Sequence, residues 1–294
     1  MRILLTGCDG QLGSLLREIL RGKAELLAVN RAELDITNES SVNEIISVFK
    51  PEIIVNTAAY TAVDRAEDEV EMAFAVNGLG PEILAKAAHS VGAALIHIST
   101  DYVFDGNHKN PYVESDQVNP QSVYGESKLK GEIAVQECCQ KYIILRTSWV
   151  FSRHGHNFVN TMLRLGKEKS VLRIVSDQFG GPTYANDIAN LIVVIIEKIE
   201  SGEGINWGLY HYSGMPYVSW SKFAEVIFKK VKESNLLKAV PLIKSIESKD
   251  FPTPATRPKN SSLDCAKIQA EFDISPSDWV GELGNIGDYA EVSG

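Results

Sequence analysis

The chain predicts an α/β fold, a doubly wound parallel sheet of the Rossmann type with a smaller α+β substrate-binding lobe at the C-terminal side. Three observations carry this. A short apolar strand runs directly into a glycine-bearing turn at Gly7, Gly10 and Gly13. Strand-like runs then alternate with amphipathic segments. Finally, 294 residues are more than one core usually needs. The division expected is an NAD(P)-binding domain over 1–150 and a mostly substrate-binding lobe over 151–294, partly interleaved with the first.

The first strand is the run Arg2-Ile-Leu-Leu-Thr6. After the glycines, Leu12, Leu15, Leu16, Ile19 and Leu20 recur at helical spacing. A strand, a glycine turn and a helix in that order aim backbone N–H groups and the helix dipole at an anion, which makes Gly7, Gly10, Gln11 and Leu12 the expected seat of a dinucleotide pyrophosphate. Further strands are predicted over 25–30, 52–56, 93–99 and 142–146. Their alternation with helices specifies parallel pairing, right-handed crossovers and a ligand crevice at the carboxyl ends of the strands. About 20 residues beyond the glycines, where an acidic residue would hold a ribose diol, the sequence has Asn30-Arg31. Arg31 offers a cation to a 2′-phosphate, so NADPH is the preferred cofactor, with some use of NADH. Asp35 and Ile36 are assigned to the same cofactor. So are Ala58, Ala59 and Tyr60, because the small residues after the third strand let a cofactor lie against the backbone.

Tyr124 and Lys128 stand four apart, which stacks a phenol and an ammonium on one helix face. A lysine at that distance favours the phenolate, and proton transfer near neutral pH comes within reach. Thr100, at the end of the fourth strand, reads as a hydroxyl that caps the turn that follows. Trp149, just past the fifth, fits either an aromatic wall or a core anchor.

A net charge of −9 with scattered basic residues argues against nucleic acid as a partner. Apolar runs such as 191–196 fall far short of a membrane span, and Met1 leads straight into the first strand, so the expected location is cytoplasmic. Four cysteines lack CxxC spacing and read as reduced thiols. Cys8, before a helix, is expected to lean toward the thiolate. The histidines form no HExxH arrangement, and no metal site is expected.

The runs Gly7 to Gly13, Asn56-Thr-Ala-Ala-Tyr-Thr-Ala-Val-Asp64, Ser99-Thr-Asp-Tyr-Val-Phe-Asp-Gly106, Tyr124-Gly-Glu-Ser-Lys128 and Arg146-Thr-Ser-Trp-Val150 follow one another in an order that resembles the dTDP-4-dehydrorhamnose reductases, a branch of the extended short-chain dehydrogenase/reductase family. The likeness continues through 157–164, 177–183 and 257–260. It implies NAD(P)H-dependent reduction of the C4 ketone of dTDP-4-dehydro-β-L-rhamnose to dTDP-L-rhamnose. Tyr124 would be the general acid, Lys128 its partner and ribose ligand, and Thr100 the hydroxyl on the ketone. Asp101, Trp149 and Arg257 would meet the substrate, with Lys259 near the diphosphate.

Some members of that family dimerise around magnesium held by glutamates. The matching positions here are Leu15 and Asn186, so the resemblance implies a monomer or a homodimer built without metal. Two other readings remain. One is a non-catalytic NADP-binding module like the regulatory subunit of methionine adenosyltransferase. The other is a sugar-nucleotide epimerase or dehydratase, which would want further acid-base groups beside Thr100, where Asp101 and Tyr102 stand.

Overall fold

The computed structural model describes residues 1–289. Six parallel strands form the main sheet: β1 (Arg2–Thr6), β2 (Glu25–Val29), β3 (Ile53–Asn56), β4 (Ala94–Thr100), β5 (Tyr142–Thr147) and β6 (Gly208–His211). They lie in the order β2-β1-β3-β4-β5-β6. The long helices are α1 (Gln11–Leu20), α2 (Glu39–Phe49), α3 (Gly80–Val91), α4 (Val123–Cys138), α5 (Phe158–Glu168), α6 (Ala185–Ser201) and α7 (Trp220–Glu233).

Side chains alternate across the sheet, and both faces are apolar, as a sheet covered by helices on each side requires. Ile3, Leu5, Val55, Ile96 and Leu145 face α1 and α6. Leu4, Ile54, Leu95 and Ile144 face α2, α3 and α4. The predicted strand over 25–30 stops one residue early. Asn30 leaves it because its side-chain oxygen turns to accept the N–H groups of Ala32 and Glu33.

The order reverses at β1, whose neighbours are β2 and β3, so the switch-point crevice opens above the ends of β1 and β3. Residues beyond 150 return to this body. β6 extends the sheet beside β5, and α6 packs on α1. The rest of that half has its own core, in which Phe151, Met162, Phe223, Ile227 and Trp279 join α5, α7 and the C-terminal turns. Among the described residues no helix is long and apolar enough to cross a membrane, and all four cysteines are free.

One ion pair joins α4 to the sheet. Glu132 is fully buried and receives Arg146 from β5 through two bonds, Nη2 to Oε2 at 2.6 Å and Nε to Oε1 at 2.9 Å. Ser99 of β4 donates to the same carboxylate at 2.5 Å, and the guanidinium stacks over Phe104 at 4.9 Å. Breaking a buried pair on one side strands a charge and costs about 3–5 kcal/mol, whereas replacing both partners with apolar groups can be nearly neutral. Glu132→Ala should therefore lose about 3–5 kcal/mol in urea unfolding, and Glu132→Met with Arg146→Met should lose less than either single change. A double variant at least as unstable as the sum of the singles would contradict this account.

Candidate active site

The crevice is narrow at its floor because two glycines let backbones touch. Gly7 has φ +74°, and a Cβ there would come within 2.6 Å of the Ala58 nitrogen. A Cβ on Gly13 would come within 2.1 Å of the Gly7 carbonyl oxygen. The turn closes through the Gly10 N–H on the Gly7 carbonyl at 3.0 Å, and Gly10 is the residue from which α1 starts. Free N–H groups of the first helical turn thus face a concavity that only small residues permit, which suits a pyrophosphate. Gln11 ties this turn to the second half of the chain: its side-chain oxygen accepts from Ser152 and Asn157, both at 3.0 Å. Leu12 is buried in the core beneath.

Asn30 donates to Asp9 at 2.9 Å, which fixes the rim of the crevice. Arg31 is exposed, its guanidinium 3.8 Å from the sulfur of Met72. Asp35 accepts the N–H and the hydroxyl of Thr37 on one oxygen, and those bonds hold its carboxyl below the usual range. Ile36 packs against Gly80 at the start of α3. Ala58 and Ala59 are half-buried after β3. Tyr60 is clamped by a residue that the sequence did not reveal. Asn77, in a π-turn over Ala75–Leu79, accepts the Tyr60 N–H at 2.8 Å, donates to the Tyr60 carbonyl at 3.0 Å and reaches Ser127 of α4 at 3.0 Å. An asparagine inside a helical stretch is the signal available for it, since such turns gather at functional sites.

Ser122 caps α4 by accepting the Gly125 N–H, so the helix begins immediately before Tyr124. The Tyr124 and Tyr102 rings meet edge to face at 5.4 Å. The expected pairing of phenol and ammonium takes a different form from the one predicted. Lys128 is 2 % exposed and donates to the Ile98 carbonyl of β4 at 2.6 Å. Burial pushes its ammonium down to about 8, against the opposing charge of Glu132. Tyr124 is pushed well up by burial, with the negative charge of Asp101 adding to the effect, while the Thr100 hydroxyl is close enough to pull the other way. The phenol is therefore a firmly protonated acid, contrary to the lowered pKa inferred from spacing alone.

Of the two roles expected for it, Thr100 takes that of a cap. Its oxygen accepts the Tyr102 N–H at 3.2 Å, capping the turn after β4, and its hydroxyl also donates to Asp101 at 3.1 Å. Asp101 is 3 % exposed. Arg257 is committed on two nitrogens, to Asp64 at 2.6 Å and to the Tyr102 hydroxyl at 2.9 Å. Lys259 is exposed. Trp149 has φ +49°, a left-handed backbone that a bulky residue adopts at a cost of about 1–3 kcal/mol. Its indole stacks on Trp220 with centroids 3.5 Å apart and lies over Gly180. It is half-buried.

Cys8 departs from expectation. It is 2 % exposed, and burial together with the Asp9 carboxylate raises its pKa. A helix dipole cannot favour a thiolate that is shut away from water. Leu15 packs against the core of the sheet, and Asn186 lines a surface cavity beside Asp187, whose carboxylate accepts from Ser277 at 2.6 Å.

The family described as RmlD substrate binding domain matches residues 1–290. A curated relative from Aggregatibacter actinomycetemcomitans, a dTDP-4-dehydrorhamnose reductase, is 50 % identical over 292 residues, 99 % of each chain. A crystal structure of a dTDP-4-dehydrorhamnose reductase from Clostridium acetobutylicum superposes with a TM-score of 0.90 at 39 % identity, covering 99 % of this chain and all of that one. Another from Bacillus anthracis, in complex with NADP, gives a TM-score of 0.89 at 36 % identity over 97 % of each chain.

Proposed function

The chain belongs to the RmlD family, and from that premise we propose that it reduces dTDP-4-dehydro-β-L-rhamnose to dTDP-L-rhamnose, the last step of dTDP-L-rhamnose biosynthesis. The observation that carries the reading is the cluster of Thr100, Tyr124 and Lys128 at the carboxyl end of β4, beside a glycine turn fitted to a pyrophosphate. Bound at that turn, NADPH supplies the hydride for C4. Gly7, Gly10, Gln11 and Leu12 hold its pyrophosphate, Asp35 and Ile36 flank the adenine end, and Ala58, Ala59 and Tyr60 support the path toward β4. Arg31 meets the 2′-phosphate.

Tyr124 gives its proton to the ketone oxygen as charge develops there. A reductive acid has to start protonated, and a phenol raised by burial is that. Lys128, one turn further along α4, holds the ribose and stabilises the phenolate left behind. Thr100 orients the ketone oxygen. Trp149 walls the deoxysugar, and Asp101 lies beneath it. Arg257 keeps three of its five N–H donors for the diphosphate after serving Asp64 and Tyr102. A purely regulatory NADP module would have no need of the Thr100, Tyr124 and Lys128 set. A dehydratase would want an acidic pair after Thr100, but the residue after Asp101 is Tyr102, whose hydroxyl accepts from Arg257.

NADPH oxidation followed by absorbance, with dTDP-4-dehydrorhamnose beside UDP- and GDP-4-keto sugars, tests the reaction. Tyr124→Phe should bind cofactor normally while kcat falls by a factor on the order of 10² or more. Wild-type-like turnover in that variant would sink the assignment of the acid.

The sign of the Lys128 effect is fixed by its charge. Below about 8 it is an ammonium and above it a neutral amine, so kcat should fall as pH rises through that value. A flat alkaline profile would mean that its charge is not used.

Arg31→Ala should raise KM for NADPH more than KM for NADH. Equal changes would make Arg31 an ordinary solvated side chain.

With Leu15 and Asn186 where family members place glutamates, we also propose a monomer or a dimer closed without metal. Activity and sedimentation should be unchanged by EDTA. Loss of either, restored by Mg²⁺, would refute this.

A further inference from the structure

Among the described residues, Asp101 is the carboxylate with a buried oxygen that finds no partner. It sits 3 % exposed on the turn after β4, and its Oδ1 takes the one proton that Thr100 owns, at 3.1 Å. Its Oδ2 is buried with no hydrogen-bond partner. A buried carboxylate oxygen left bare is costly, and protonation relieves the cost. Thr100 meanwhile has a conflict. Its oxygen accepts the Tyr102 N–H at 3.2 Å, and its one proton is drawn to the Asp101 carboxylate at 3.1 Å and away from the site, where the Tyr124 oxygen is its other neighbour. A neutral Asp101 donates its own proton to the Thr100 oxygen and frees the threonine proton for the site.

We infer that Asp101 is a positioning residue whose protonation reverses the Thr100 hydroxyl, so that Thr100 donates to the substrate's ketone oxygen only when Asp101 is neutral. The inference rests on the reduction proposed above and deepens it. No covalent bond changes: one proton moves onto the carboxyl, and one hydroxyl turns.

Burial shifts Asp101 toward the neutral form, although the carboxylate still predominates at neutral pH. Burial raises Asp101 to about 6, and the opposing influences are the Ser261 hydroxyl, the Thr100 hydroxyl, the backbone N–H of its own turn and the charge of Arg257. Tyr102 stands on the same turn and Tyr124 on α4, both uncharged at neutral pH because burial raises their phenols. Asp64 lies behind Arg257 and answers its charge. Lys128 sits one turn further along α4. A substrate with a diphosphate adds negative charge and removes water, and both effects push a carboxyl further up.

The test is the pH profile of kcat with dTDP-4-dehydrorhamnose at saturating NADPH. The wild type should show two falls with rising pH, the first as Asp101 ionises, by about tenfold, and the second as Lys128 loses its charge. Asp101→Asn, whose amide donates to the Thr100 oxygen as a neutral acid would, should lose the first fall and keep the second. Asp101→Leu should be slow at every pH. Ser261→Ala removes a group that favours the carboxylate, so it should move the first fall to higher pH, which gives an independent reading if the Asp101 variants fold poorly. If the first fall persists in Asp101→Asn, or if Asp101→Asn is as slow as Asp101→Leu throughout, the inference is overturned while the reductase reading stands. If the wild type turns over none of the 4-keto sugar nucleotides, the reductase reading falls and takes this inference with it.

Discussion

The close approach of Gly7 to Ala58 is the constraint on which the rest of the site depends. It exists because the strand order sets β3 beside β1, so the loop that leaves β3 passes directly over the glycine turn. With no side chain between them, the floor of the crevice is backbone, and its polar groups are available to a ligand or to each other. Asn77 then fastens the β3 loop to α4 through Tyr60 and Ser127. Helix α4 and the glycine turn thereby share one frame.

Charge is handled in that frame by depth. Along one side of α4 stand Tyr124, Lys128 and Glu132, each four residues apart, and burial deepens from the first to the last. Glu132 is tied to Arg146 and Ser99, and so acts on Lys128 as a fixed countercharge rather than as a partner. Lys128 spends a hydrogen bond on the β4 backbone, which sets its direction. The phenol at the shallow end is kept neutral by burial. Tyr102 and Arg257 brace it from the other side.

Much of the sheet could be read from the chain because buried parallel strands announce themselves as apolar runs. The strand over 142–146 and the helix carrying Leu12 to Leu20 are seen almost as expected. β6 was not predicted, since Gly208-Leu-Tyr-His211 is short, ends in a histidine and follows a long helix, leaving no apolar run to see. At the site, motif spacing set Thr100 beside Tyr124, with Lys128 one turn further along α4 and turned to the Ile98 carbonyl. It misjudged their electrostatics, because spacing says nothing of depth: burial, which no linear pattern encodes, raised Tyr124 and shut Cys8 away from water. Asp64, Asn77 and Ser261 escaped notice for a different reason. Each acts through a partner far along the chain, and a single polar residue carries no trace of such a partner.

The return of β6 to the sheet has a consequence for how the molecule is made. The edge beside β5 stays open, with its backbone groups unpaired, until synthesis has passed Tyr210. During that interval a parallel edge strand is exposed on the ribosome, the circumstance in which strands find wrong partners. The two halves therefore cannot mature in succession like beads. A cut near residue 150 would separate the first half from the strand and helix that complete it, so any second half joined there has to supply both.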